Sequence, residues 1–418
     1  MTRDFKQCAA TKAMIEVLVG AACFLTFFAV LPGIGPNMQV LALVLLFGAA
    51  AYAVMLNRVK ALPTSAAELV MYIVGVAYIV LAMLTEEEGV GLAIAFLSTV
   101  IFISIVSRAV SLERLLDIGA VVALLCVLAS IAIDYHKALT ALVPAGGKAG
   151  LVRFMPLGAT PNLSGYIFGG GAILMARRAV VSSHIRERVL MAGGALCSCL
   201  FVLAASARSS LVALAVAAAV AIFFEFGVRR VLALKWVKIG AVAFAIIGVV
   251  FSDKIAAYFD RMLALESDTR GLASGGSGRT GLWARGIATL FEDPMLFAFG
   301  GGFRSSSSDL IGFSTESSYI TILLDSGAFI GAAIIFVFCY SPIKALRITS
   351  PENRHSSPLI LLASFMTFLI VESVFNRYLL AIGNPTSLMS LLILFALSMR
   401  KNLTDSVDHL QGEQRQAG

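Results

Sequence analysis

Apolar residues come in long runs along nearly the whole chain, at about 13–31, 38–56, 67–84, 89–107, 115–133, 162–176, 189–205, 209–225, 237–252, 319–340, 357–375 and 380–398. Runs of about 18–20 residues have the length an α-helix needs to cross a bilayer, whereas barrel strands alternate over ~10 residues. The pattern predicts an all-α, polytopic membrane protein with about 12 transmembrane helices, residues 1–418 forming a single integral membrane domain. One interval interrupts it: residues 253–318 are polar and predict one large loop containing short amphipathic helices. Ile255, Tyr258, Phe259 and Met262 recur at helical steps, as do Trp283, Ile287, Leu290 and Phe291, with Ser277 or Thr280 as cap for the second helix. Between them lies the glycine-rich stretch from Gly271 to Gly278.

Composition agrees with a membrane protein. Hydrophobic residues make up 59% and charged residues 14%, where a soluble domain carries about 25% charged residues. Five of the six cysteines lie inside apolar runs and read as small buried hydrophobes, not as a disulfide framework. The four histidines are scattered singly, so the sequence predicts no metal site and no cofactor. A basic start (Arg3, Lys6, Lys12) before a long first apolar run reads as an uncleaved signal-anchor.

Charge supplies the orientation. With the N-terminus in the cytoplasm, 21 of the 32 Lys and Arg fall inside and 11 outside, and every short inside loop is basic. The positive-inside rule therefore places both termini in the cytoplasm and makes the 253–318 interval extracytoplasmic. Membrane topology accounts for the net charge of +7, which leaves no reason to invoke a nucleic-acid partner.

The outside cations then stand out, because topology predicts their depletion there. Eight of the 11 are arginines. Pairing with the loop's own acids (Asp253, Asp260, Glu266, Asp268, Glu292, Asp293, Asp309, Glu316) is one reading, and recognition of an anion is the other. Arg208 sits between two apolar runs, where an ionisable group is a functional candidate. Arg279 follows the glycine-rich turn at the start of a helix, an arrangement suited to phosphate oxygens. Glu316, at the mouth of the tenth run, reads as a first-turn carboxylate acting either as a cap or as a general base. Asp325 reads as a structural partner, while Glu372, four residues before Asn376, is a further intramembrane candidate. The candidate catalytic set is Glu316, Arg279 and Arg208. The candidate substrate-binding set is Ser277, Gly278, Thr280, Arg285, Arg304, Asn162, Tyr319 and Arg377.

The run Ser277-Gly278-Arg279-Thr280-x-x-Trp283, then Asp293-Pro294 and Phe299-Gly300-Gly301-Gly302-Phe303, resembles the O-antigen ligase and polysaccharide polymerase superfamily. So do Glu316-Ser317-Ser318-Tyr319 with Asp325-Ser326-Gly327 and Gly331, and, upstream, Pro161-Asn162 and Ser206-Ala207-Arg208-Ser209. The resemblance covers about Pro161 to Gly331. It implies an inner-membrane glycosyltransferase of a bacterium, using undecaprenyl-diphosphate-linked glycan, with Arg208 and Arg279 engaging the diphosphate. It also implies membrane lipids and a chain-length regulator as partners. Ligases of the family carry a histidine where this chain has Glu316, which tilts the expectation towards polymerisation of repeat units over ligation to a lipid or protein acceptor. A twelve-helix transporter or flippase is the rival from another class; it predicts internal repeats, and no corresponding halves are visible.

Overall fold

The computed structural model describes residues 2–55, 63–85, 87–142, 153–226, 278–305, 312–348 and 358–400. Among these the chain is helical, with no strand. The helices are α1 (Thr2–Phe27), α2 (Gly35–Met55), α3 (Ala66–Thr85), α4 (Glu87–Ala109), α5 (Leu112–Leu142), α6 (Pro161–Val181), α7 (Ile185–Ala204) and α8 (Arg208–Phe226). Then come α9 (Arg279–Glu292), α10 (Pro294–Phe299), α11 (Ser318–Ile348), α12 (Pro358–Phe375) and α13 (Pro385–Ser398). Seven of them, α1 to α5, α7 and α11, are long and apolar enough to cross a membrane. Eleven of the twelve apolar runs fall on helices. The run at 237–252 and the first expected amphipathic helix, around 255–262, lie outside the described residues.

Two helices form the centre. Every residue of α6 from Ser164 to Met175 is buried, as is every residue of α13 from Pro385 to Leu397. A helix buried on all sides needs close approach by its neighbours, and in an apolar medium small residues supply it. Gly165 shows this: a Cβ there would lie 2.2 Å from Ser210 Oγ and 2.4 Å from Ala207 Cβ, so the start of α8 rests on bare α6 backbone.

Helix starts follow local rules. Thr160-Pro161, Asp293-Pro294 and Asn384-Pro385 each place a capping side chain before a proline at the first helical position. Asn384 accepts from the Ser387 N–H at 2.9 Å and Asp293 from that of Met295 at 2.8 Å. The Asn384-Pro385 start corrects the last apolar run, expected as a span from 380. Residues 376–384 are irregular, since proline fixes its own φ and holds the preceding residue extended.

α11 is broken at Gly327, where φ is 74° and ψ 170°. The glycine-rich turn after α10 packs into this break, backbone against backbone. Gly301 N–H donates to the Leu324 carbonyl (2.8 Å) and Gly302 N–H to that of Asp325 (3.0 Å). Asp325, 6% exposed, accepts from Ser305 Oγ at 2.6 Å and from the Arg304 N–H at 3.2 Å, which gives it the structural part expected of it. A Cβ on Gly300 would lie 2.4 Å from the Asp325 carbonyl oxygen, at a φ of 79°. Gly300→Ala therefore costs roughly 2 kcal/mol or more. Thermal unfolding of the detergent-solubilised protein measures this, and an unchanged melting temperature contradicts the packing.

Candidate functional site

The two ends of the bundle treat charge differently. At the end holding the basic loops, acids and cations pair closely. Glu68, fully buried, accepts from Arg108 Nε (3.1 Å), Ser104 Oγ (2.7 Å) and the Thr64 N–H (2.6 Å). Asp117 bridges Arg177 and Arg178 at 2.9 and 2.8 Å, Glu187 takes Arg178 at 2.6 Å, and Arg400 pairs with Glu113. At the opposite end, among the described residues, none of the guanidinium groups of Arg279, Arg285, Arg304 and Arg377 forms an ion pair within 4.0 Å, although the Arg304 backbone N–H meets the Asp325 carboxylate. Glu292, Asp293 and Glu316 do not pair with them. The loop's other acids, Asp253, Asp260, Glu266, Asp268 and Asp309, lie outside the described residues.

Beside Arg304 and Arg377 is a cavity of about 480 Å3. Arg304, Arg377, Asp325, Tyr378, Ser318 and Asn384 line its polar part. Leu43, Leu46, Leu92, Leu163, Ile322 and Leu388 line its apolar part. The walls thus come from α2, α4, α6, α11, α13 and the irregular 376–384 segment. Apolar walls with a few polar groups at one end are what an amphipathic ligand needs.

Glu372 is the second feature at this end, met by the serines that follow Arg208 and facing the start of α9. Glu372 is fully buried near the end of α12, and its Oε1 accepts from Ser210 Oγ (2.7 Å), Ser209 Oγ (3.2 Å) and Asn376 Nδ2. Arg208, half-buried, opens α8 directly before those serines. Arg279 opens α9 and is the cation whose field reaches Glu372. One turn on, Trp283 packs against Phe375 with ring centroids 5.9 Å apart, which brings α9 onto the end of α12. The cap of α9 differs from expectation. Gly278, exposed and at φ 77°, is the N-cap; no side chain caps the helix, Thr280 is its exposed second residue, and Ser277 lies outside the described residues.

Glu316 stands near Tyr378. It stands before α11, not in its first turn, with φ 52° and a carboxylate that accepts from Ser314 Oγ at 3.1 Å. The α11 N-terminus is taken up by another partner: Ser318 N–H and Oγ both donate to the Asn376 carbonyl, at 2.9 and 2.5 Å. That anchor displaces Glu316 onto the preceding turn. Tyr378 sits beside it, its hydroxyl 3.0 Å from Thr160 Oγ1. Burial, foremost, lifts the Tyr378 phenol above its ordinary pKa; Thr160 and Arg377 oppose the rise, and Glu316 and Glu372 add to it. The phenol is therefore a neutral hydrogen-bonding group. Sequence reasoning passed over Tyr378, although its position beside Arg377 was a signal.

The remaining candidates scatter. Asn162 is half-buried in the first turn of α6. The Arg285 guanidinium lies over the Phe313 ring at 4.2 Å. Tyr319 donates to the Ile370 carbonyl at 2.7 Å. Arg153 donates to the carbonyls of Ala205 and Ser206 at 2.9 and 3.1 Å, clamping the turn into α8. Ser206, Arg304 and Glu316 all have positive φ, and such strain gathers where surrounding structure over-determines a site.

No protein-family model matches the sequence, and no curated protein matches it.

Two substitutions test this geometry. Tyr319→Phe removes one hydrogen bond and lowers stability by about 1 kcal/mol. Arg377→Gln, at an exposed residue with no carboxylate partner among the described residues, leaves the melting temperature unchanged. Thermal unfolding of both variants checks the contrast.

Proposed function

We propose that this chain is a bacterial inner-membrane glycosyltransferase that polymerises undecaprenyl-diphosphate-linked oligosaccharide repeat units. In this reading about twelve spans cross the membrane, both termini are cytoplasmic, and the 253–318 loop lies on the outer face. The observation that carries it is Arg304 and Arg377, neither in an ion pair among the described residues, on a cavity whose other walls are largely apolar. A free sugar or a soluble anion has no use for apolar walls, and a plain lipid has no use for the arginines. A lipid diphosphate uses both.

The chemistry follows from the residues. Glu316 takes the proton from an acceptor sugar hydroxyl. That oxygen attacks the donor's anomeric carbon with inversion, and the bond from this carbon to the diphosphate oxygen breaks. Arg208 and Arg279 hold the charge that develops on the departing diphosphate. Arg304 and Arg377 hold a second stretch of anionic or hydroxyl-rich substrate at the cavity. No step draws on a metal ion. Membrane lipids surround the protein, and a chain-length regulator is its natural partner in a polymerising system.

Reconstitution of the purified full-length chain with a lipid-diphosphate-linked repeat unit tests the reading. A ladder of longer lipid-linked products is expected. Transfer only to a different lipid or protein acceptor identifies a ligase, and movement of the intact lipid across the bilayer identifies a flippase. Arg279→Ala and Arg208→Ala each abolish product at normal protein level in the membrane. Glu316→Gln loses activity, and a fully active Glu316→Gln removes the general-base assignment.

A further inference from the structure

The cavity that Arg304 and Arg377 line also reaches the side of the bundle. Val40 of α2 and Leu92 of α4 both line it and are 62% and 43% exposed, so it opens between these two helices. Both helices are long and apolar enough to cross a membrane. The exposed residues around the opening, Leu41, Val44 and Ile94, are apolar as well. Along α2 the lining runs from Pro36 to Leu46, about 15 Å at roughly 1.5 Å per residue. That is half of a hydrocarbon core about 30 Å thick. Just beyond it, Phe47 of α2 and Phe102 of α4 meet with ring centroids 5.4 Å apart and close the gap. At the other end Gln39 lies against Gly383, where a Cβ would be 2.8 Å from its Nε2, so the segment that carries Arg377 sits over the start of α2. The opening is thus a slot one leaflet deep, with apolar sides, an aromatic floor and an arginine at its head.

We infer that this slot is a lateral port for the polyprenyl chain of a lipid diphosphate, which enters from the bilayer between α2 and α4 and lies along the apolar walls with its anionic end towards Arg304 and Arg377. The inference rests on the lipid-diphosphate reading of the cavity. A cavity of about 480 Å3 takes a drug-sized ligand. A long polyprenyl chain therefore fits only if most of it stays outside, and the side opening gives it a way out. A water-soluble ligand has no use for an opening onto apolar helix faces. Protein walls and lipid tails are equally apolar, so moving the chain from one to the other yields little free energy. The slot therefore admits the chain without gripping it, and the arginines supply the affinity. Lipid-linked substrate and product pass through it sideways, and the chain never has to cross water.

Displacement binding on the full-length protein in nanodiscs tests this, with radiolabelled farnesyl diphosphate as reporter and undecaprenyl diphosphate in the same bilayer as competitor. The short farnesyl chain lies within the cavity, whereas the undecaprenyl chain has to leave through the slot. Leu92→Trp narrows the slot. Undecaprenyl diphosphate then competes about tenfold more weakly or worse, the scale of forcing a large side chain into occupied space, while farnesyl diphosphate keeps its native affinity. Ile94→Trp, at an exposed residue of the same helix that does not line the cavity, changes neither ligand. Val40→Trp repeats the test from α2 and covers the case in which Leu92→Trp does not fold. Unchanged competition in the slot variants, or equal weakening of both ligands, overturns the port. The native protein separates the two levels of the argument. If farnesyl diphosphate fails to bind there, the diphosphate reading falls and takes the port with it. If it binds there and the slot variants compete normally, the port alone falls.

Discussion

Taking a charge out of water is costly, and that cost organises this bundle. Where a carboxylate and a guanidinium are both enclosed, they meet with further donors around them, as Glu68 does with Arg108, Ser104 and the Thr64 N–H. Such clusters hold the basic end together. At the other end the accounting is left open for the arginines: Arg304 and Arg377 line a cavity, together with Asp325, without forming an ion pair among the described residues, and Glu372, fully buried, is hydrogen-bonded on one oxygen only among the described residues. An imbalance of this kind is tolerable at an aqueous mouth.

The mouth is built by helix starts and breaks more than by helix faces. Thr160-Pro161 and Asn384-Pro385 begin the two central helices, and Tyr378, between α12 and α13, reaches the first of these caps. Gly327 breaks α11 so that the glycine-rich turn after α10 can enter, which carries Phe303 onto Tyr78 and Phe96, at centroid distances of 5.3 and 4.8 Å. Arg304 is thereby set at the cavity by an aromatic anchor one residue away. Positions as strained as Ser206 and Glu316 persist because Arg153 and Ser318 tie down the turns around them. Rigidity at the mouth thus comes from backbone hydrogen bonds, which apolar surroundings strengthen.

Much of the fold was legible because a helix in an apolar medium announces itself through run length, and because threonine, asparagine or aspartate before proline marks a helix start wherever it occurs. The arginines at 279, 285 and 304 were legible too, as charges inside the one polar interval of an apolar chain. Glu316 was visible as a residue but not as a geometry. Nothing local says that Ser318 will spend the α11 N-terminus on the Asn376 carbonyl and leave Glu316 on a strained turn. The glycines at 300 to 302 read as a family motif, whereas their physical task is to let backbone meet backbone at Gly327. Tyr319 stood next to a candidate base in sequence and turned out to donate to Ile370.

By itself, then, the chain determined its helices, its apolar character and where its arginines cluster, because each of these depends on residues within one or two turns of each other or on simple sums along the chain. Only the tertiary structure decided which charges share a site. Arg304 and Arg377 line one cavity, Ser209, Ser210 and Asn376 meet at Glu372, and the Tyr378 hydroxyl meets Thr160. These groups come from segments far apart in sequence. Their meeting depends on how closely α6 and α13 allow their neighbours to approach, a matter of packing that no local pattern encodes.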